Sequence, residues 1–115
     1  MAVTREYFSG GANGAPIKIA ATATPGTAIH TSHATAEDEI WLWASNSSGT
    51  AATLTIEFGG TTDPDNLVPK AMSIPANSPP ICILQGQTLS NSKTIAAFSG
   101  TANVLIVTGY VNRIS

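Results

Sequence analysis

Residues 53–58, Thr53-Leu54-Thr55-Ile56-Glu57-Phe58, alternate polar and apolar without a break. On a strand this period of two puts Leu54, Ile56 and Phe58 on one face and Thr53, Thr55 and Glu57 on the other. The segment therefore reads as a half-buried strand, one face in a core and one in water. Just before it, Asn46-Ser47-Ser48-Gly49 combines side-chain capping with a permissive backbone position and reads as a hairpin turn. The strand that enters this turn, EIWLWA at residues 39–44, has a different pattern. Ile40, Leu42 and Ala44 share one face while Trp41 and Trp43 occupy the other, so both faces call for cover. ICIL at residues 81–84 and VLIVTGYV at residues 104–111 are two-sided in the same way.

Outward from this hairpin, short runs rich in β-branched residues alternate with turn clusters at spacings of about 8 to 15 residues, the pattern of a sandwich or barrel. The runs predict strands over residues 17–24, 27–32, 39–46, 51–58, 71–74, 81–84, 94–99 and 104–112. Pro25-Gly26 supplies a turn between the first two. No stretch of ten residues has helical periodicity free of Gly or Pro, and residues 34–38 offer one turn at most. No repeat indicates a solenoid or propeller. The expected fold is all-β: an antiparallel β-sandwich of about eight strands over residues 16–115, jelly-roll-like or immunoglobulin-like, with a slight preference for the jelly roll. Residues 1–15, MAVTREYFSGGANGA, have neither period and are expected to form an extended N-terminal arm, with Tyr7 and Phe8 as its only aromatic anchor.

A chain of 115 residues fits one domain and one two-layer core. Only 10% of its residues are charged, against about 25% in ordinary soluble domains, and this surface rich in Ser, Thr, Gly and Ala suits contact with other protein. The net charge is -2 and the five cations, Arg5, Lys18, Lys70, Lys93 and Arg113, are scattered. Direct nucleic-acid recognition, which needs clustered cations, is not expected. Neither a cleaved signal nor a membrane span is expected, since no apolar run approaches the roughly 20 residues that cross a bilayer. The single cysteine, Cys82, reads as a small buried hydrophobe.

Candidate chemistry is sparse. His30, His33, Glu37, Asp38 and Glu39 have residue types that ligate zinc, but on a strand the two histidines face opposite ways and no His-Glu-x-x-His core is present. They read as a solvated loop before the Trp strand. Asp63, Asp65 and Asn66 in GGTTDPDN offer oxygens to calcium without the ligand spread of an EF-hand, and read as a turn. Nucleophilic catalysis requires a base held by a third group, and the only imidazoles lie in one short segment. No enzyme activity, cofactor or metal is expected. Tyr7, Phe8, Trp41, Trp43 and Tyr110 are the candidate interface residues. A host-glycan platform is the alternative use of the tryptophans, and Trp and Tyr enrichment at protein interfaces favours the protein contact.

The run IWLWASNSSGTAATLTIEFGGTTDPDNLV, a short IPA segment, an apolar strand and the ending FSGTANVLIVTGYVNRIS together resemble small β-sandwich virion proteins of tailed bacteriophages, over about residues 38–115. The turn EFGGTT and the closing GYVNRIS carry most of the likeness. The resemblance implies a structural part of the particle with no active site, assembled in the host cytoplasm and located in the virion. A capsid decoration or cement protein bound to the major capsid protein is the expected role, as a homo-oligomer with a trimer favoured. A neck, tail or fibre-associated subunit is the alternative.

Overall fold

A computed structural model describes residues 2–115 and shows nine strands in two antiparallel sheets, with no helix among the described residues. The first sheet contains β1 (Val3–Glu6), β2 (Ile17–Lys18), β4 (Glu37–Asn46), β7 (Ser78–Leu89) and β9 (Leu105–Ile114). The second contains β3 (Thr27–Thr31), β5 (Ala52–Phe58), β6 (Met72–Ile74) and β8 (Thr94–Ser99). Strand order is β1-β9-β4-β7, with β2 also on β9, and β3-β8-β5-β6.

The pairings nest. β5 pairs with β6, β4 with β7, β3 with β8 and β2 with β9. Such nesting is one long antiparallel hairpin rolled up so that successive pairs alternate between two sheets, which is the jelly-roll arrangement. Pairing of β4 with β9 and of β5 with β8 closes the roll.

The core lies between the sheets and follows the alternation. Ile40, Leu42 and Ala44 of β4, Leu54 and Ile56 of β5, Leu105 and Val107 of β9, and Ile29, Ile74, Leu84 and Ile95 from the other strands have no exposed surface. β-branched and γ-branched side chains on a pleated surface pack at this density because their rotamers are few. The alternation in β4 is complete: every even residue from Asp38 to Asn46 is buried and the odd residues face outward.

Two expectations require correction. Of the expected arm over residues 1–15, the described residues do not stand apart from the sandwich: β1 pairs in register with β9, Val3 opposite Ile114 and Glu6 opposite Val111, and Phe8 is a core residue with 5% exposure. The physical reason is that β9 is apolar on its inner side and needs both an edge partner and a filler. The ring of Phe8 occupies the space where Gly109 has no side chain, since a Cβ there would lie 2.9 Å from Phe8 Cε2. Thr55 and Glu57, expected on a wet face, are buried at 4% and 1% exposure. The turn at residues 22–26 and the segment from Asn66 to Ala71 fold over the outer face of the second sheet: Glu57 accepts from Thr24 Oγ1 and Gly26 N–H, and Thr55 Oγ1 accepts from Ala71 N–H.

Candidate functional site

The outer face of the first sheet is less fully covered, its central residues Trp41, Trp43 and Tyr110 being half-buried rather than buried. Trp41 and Trp43 project outward from β4, and the antiparallel register places Tyr110 of β9 opposite Trp41. The three rings contact one another: Trp41 and Trp43 have centroids 6.4 Å apart at 24°, Trp41 and Tyr110 6.4 Å at 18°, and Trp43 and Tyr110 5.9 Å at 33°. These spacings lie in the range in which aromatic pairs attract. All three rings are half-buried, so each keeps apolar surface available.

Local features seat the cluster. The β4–β7 register shifts between Ile40 and Trp41, and Gly86 of β7, at φ 86°, lies beneath Trp41, where a Cβ would be 3.3 Å from Cζ2. A bulge with a glycine thus lets the indole lie over the neighbouring strand. Trp41 Nε1–H donates to Glu39 Oε1 at 2.7 Å, and Asn112 Nδ2–H donates to the same oxygen at 3.2 Å. Those two hydrogen bonds, Trp41 first, hold the Glu39 carboxyl below its usual range. From the edge strand β1, the Arg5 guanidinium sits over the Tyr110 ring, 4.4 Å from its centroid, a cation–π contact. Cys82, expected in the core, is half-buried and stands opposite Trp43 on β7, because the shifted register turns it toward this outer face.

No family model, no curated protein and no solved structure matches the chain. The molecule's own geometry therefore carries the functional reading.

Of the five aromatic residues singled out in the sequence, the structure brings Trp41, Trp43 and Tyr110 together. Tyr7 is 63% exposed and lies against Gly14, outside the cluster, and Phe8 is internal, tilted against His30 with centroids 6.0 Å apart.

The polar constellation is not a solvated loop. Glu37, Asp38 and Glu39 begin β4, and Asp38 and His30 are buried at 0% and 3% exposure. Asp38 Oδ2 accepts from His30 Nε2–H at 2.8 Å and from Arg113 Nη2–H at 3.0 Å, and Oδ1 accepts from Arg113 Nε–H at 2.8 Å. Burial alone would raise the Asp38 carboxyl, but the hydrogen bonds from Arg113 and His30 and the Arg113 charge outweigh it and hold the carboxyl below its usual range. The same pairing raises Arg113. His33 turns away and uses Nδ1 to accept from Thr35 and Ala36 N–H. These groups are spent on one another, joining the two sheets at one end of the sandwich. Their sequence separations of 8 and 75 residues left no local signal beyond the opposed register of Asp38 and Arg113.

The loop after β5 behaves as a turn. Asn66 accepts from Thr62 N–H and donates to Phe58 O, while Asp63 pairs with Lys70 at 2.6 Å with both side chains exposed. Among the described residues, no three His, Cys, Asp or Glu side chains converge on one point. A depression of about 350 Å³ beside this loop, lined by Thr24, Glu57, Leu67, Lys70 and Phe98, lies over the second sheet.

Proposed function

We propose that the chain is a non-enzymatic virion structural protein, a capsid decoration or cement protein, that docks on the major capsid protein through the outer face of the β1-β9-β4-β7 sheet. The observation that carries this reading is the Trp41, Trp43 and Tyr110 cluster on the outer face of the first sheet, where all three rings keep exposed apolar surface. Three contiguous rings at the centre of a face, with Glu39, Asn112 and Arg5 at its margin, match the makeup of an interface with an aromatic anchor and a polar rim. The low charge of the chain supports a contact that salt weakens little. Nucleic acid and membrane are not among the proposed partners.

The test is reconstitution. Particles lacking the protein are mixed with wild-type chain or with Trp41→Ser/Trp43→Ser, and bound copies and heat stability of the heads are measured. The reading expects the double variant to remain folded and lose at least ten-fold in binding, since anchor residues cost 2 kcal/mol or more each when truncated. Undiminished binding and stabilisation overturn it. Labelled protein found at one vertex rather than over the head favours a neck, tail or fibre position.

A second reading has one observation of its own. Glu39 Oε1 is already engaged by Trp41 and Asn112, which fixes a carboxylate beside flat rings, as a host-glycan module requires. Tryptophan fluorescence that responds to glycans in the particle-bound protein selects that reading.

A further inference from the structure

Glu57 is a buried carboxylate without a cation of its own. Both of its donors are neutral: Thr24 Oγ1–H donates to Oε2, and Gly26 N–H donates to Oε1 at 2.7 Å. The ion pairs among the described residues lie elsewhere, with Lys70 on Asp63, Arg113 on Asp38 and Glu6, and His30 on Asp38. A carboxylate has about four lone-pair sites, so each oxygen keeps an acceptor position open. A charge withdrawn from water without an opposite charge is costly. The site therefore gains more from a cation than from a neutral occupant.

There is room for a small one. The depression of about 350 Å³ over the second sheet has Glu57 in its lining, and its size is at the lower end of small-molecule sites. Register makes its base: Thr55 and Glu57 share the outer face of β5, and the half-buried Phe98 of β8 stands opposite Thr55. The turn and the loop segment that fold over this face add Ala23 and Leu67. Of the charged groups lining the depression, Asp63 and Lys70 neutralise each other, so Glu57 sets the sign.

The donor set selects the class of ligand. A divalent metal needs several oxygen or imidazole ligands, and among the described residues no three His, Cys, Asp or Glu side chains converge. A guanidinium docks best with both carboxylate oxygens free for its fork, and here each already accepts a hydrogen bond. An anion would find only Lys70, which Asp63 holds at 2.6 Å. A primary ammonium is a compact charge. It needs one open position on Glu57 and the Thr24 hydroxyl beside it, while an attached alkyl chain lies against Leu67 and Phe98.

We infer that this depression is a binding site for a short-chain primary alkylammonium, with Glu57 as its counterion. It is on the opposite sheet from the aromatic face, and it holds whether or not that face docks on a particle.

Amide proton–nitrogen correlation spectra of the full chain test it. The probe is n-butylammonium chloride, with n-butanol and sodium butyrate as matched controls, at constant ionic strength so that screening of exposed charges does not vary. Saturable shifts are expected from the ammonium alone, at the amides of Thr24, Gly26, Leu67 and Ala71, with Leu42 and Trp43 unmoved. In Glu57→Gln, whose side-chain oxygen can still accept from Gly26 N–H, affinity is expected to fall at least about ten-fold, the worth of a hydrogen bond to a charged group. No saturable shift, or an equal response to n-butanol or butyrate, overturns the site, and these wild-type comparisons decide the matter even where the variant fails to fold. Undiminished binding by Glu57→Gln, or shifts confined to the surroundings of the exposed Asp63, also overturns it.

Discussion

Phe8→Ala tests whether the N-terminal segment belongs to the core. The ring is 5% exposed, fills the space above Gly109 and leans on His30. Removing a buried phenylalanine to Ala costs about 3 to 5 kcal/mol when the surroundings cannot collapse. Here there is a ceiling, because the segment from residue 2 to residue 10 can detach as a unit once its anchor is gone. The loss then equals the free energy that holds the segment down, and the strands other than β1 stay folded. Against a urea dependence of about 1.5 kcal/mol per molar for a domain of this size, a loss of about 3 kcal/mol moves the midpoint by roughly 2 M. Urea unfolding followed by tryptophan fluorescence measures it, and hydrogen exchange separates the routes: a cavity leaves β1 protected, whereas detachment exposes β1 amides and spares β4. A midpoint shift below about 0.5 M, with β1 protection intact, refutes the placement of Phe8 in the core.

Two further predictions concern buried carboxylates. Asp38 is held below the ordinary carboxylate range when folded, so its contribution is present at pH values above about 4 and is lost as pH falls through the lower folded value. Urea midpoints of the wild type should fall in that acid window, while Asp38→Asn, which breaks a buried pair and costs about 3 kcal/mol at pH 7, should lack that part of the decline. An equally steep acid limb in the variant contradicts the assignment. For Glu57→Ala, Gly26 N–H loses its acceptor and thermal unfolding should show a loss of about 1 to 3 kcal/mol, with Glu57→Gln losing less; equal Tm values for Ala and wild type count against a structural role for the carboxylate.

How much the sequence disclosed depended on whether the signal was local. The alternation of residues 51–58 and 39–46 predicts β5 and β4 to within two residues at each end, because an inward apolar set at period two is what those strands bury. β7 extends over residues 78–89, far beyond ICIL, since an edge strand wet on one side and bent by bulges admits Gln85, Gly86 and Gln87 without an apolar period. The expected strand 17–24 shrinks to Ile17–Lys18: past Ile19 the residues are Ala, Thr and Pro, and Ala21, Thr24 and Gly26 are used to reach the second sheet. VTRE at residues 3–6 has nothing on its own to mark it as a strand, and it becomes one because β9 offers an open edge. For the site, Trp41 and Trp43 were legible as a surplus on a two-sided strand, and Tyr110 as part of another. That they meet is a matter of register, Trp41 opposite Tyr110, which no local pattern contains. The network joining His30, Asp38 and Arg113 was illegible for the same reason.

The two sheets treat their outer faces differently, and the difference has an energetic consequence for the proposed role. The second sheet covers its polar face with its own loops, down to a carboxylate at 1% exposure. The first leaves three rings only partly covered. With 150 to 250 Å² per aromatic side chain and at most about a third of each ring exposed, the open area sums to about 200 Å² at most, and covering it contributes roughly 5 kcal/mol at 25 cal/mol/Å². Association itself costs about 4 to 15 kcal/mol, so this face alone holds one copy weakly. A homo-oligomer changes the outcome without any new contact: once one subunit is docked, the next binds at a high effective concentration. The modest area of the aromatic face therefore favours multivalent over single-copy docking in the proposed role, and it predicts that single copies with Trp41, Trp43 and Tyr110 intact bind particles far more weakly than linked copies of the same chain.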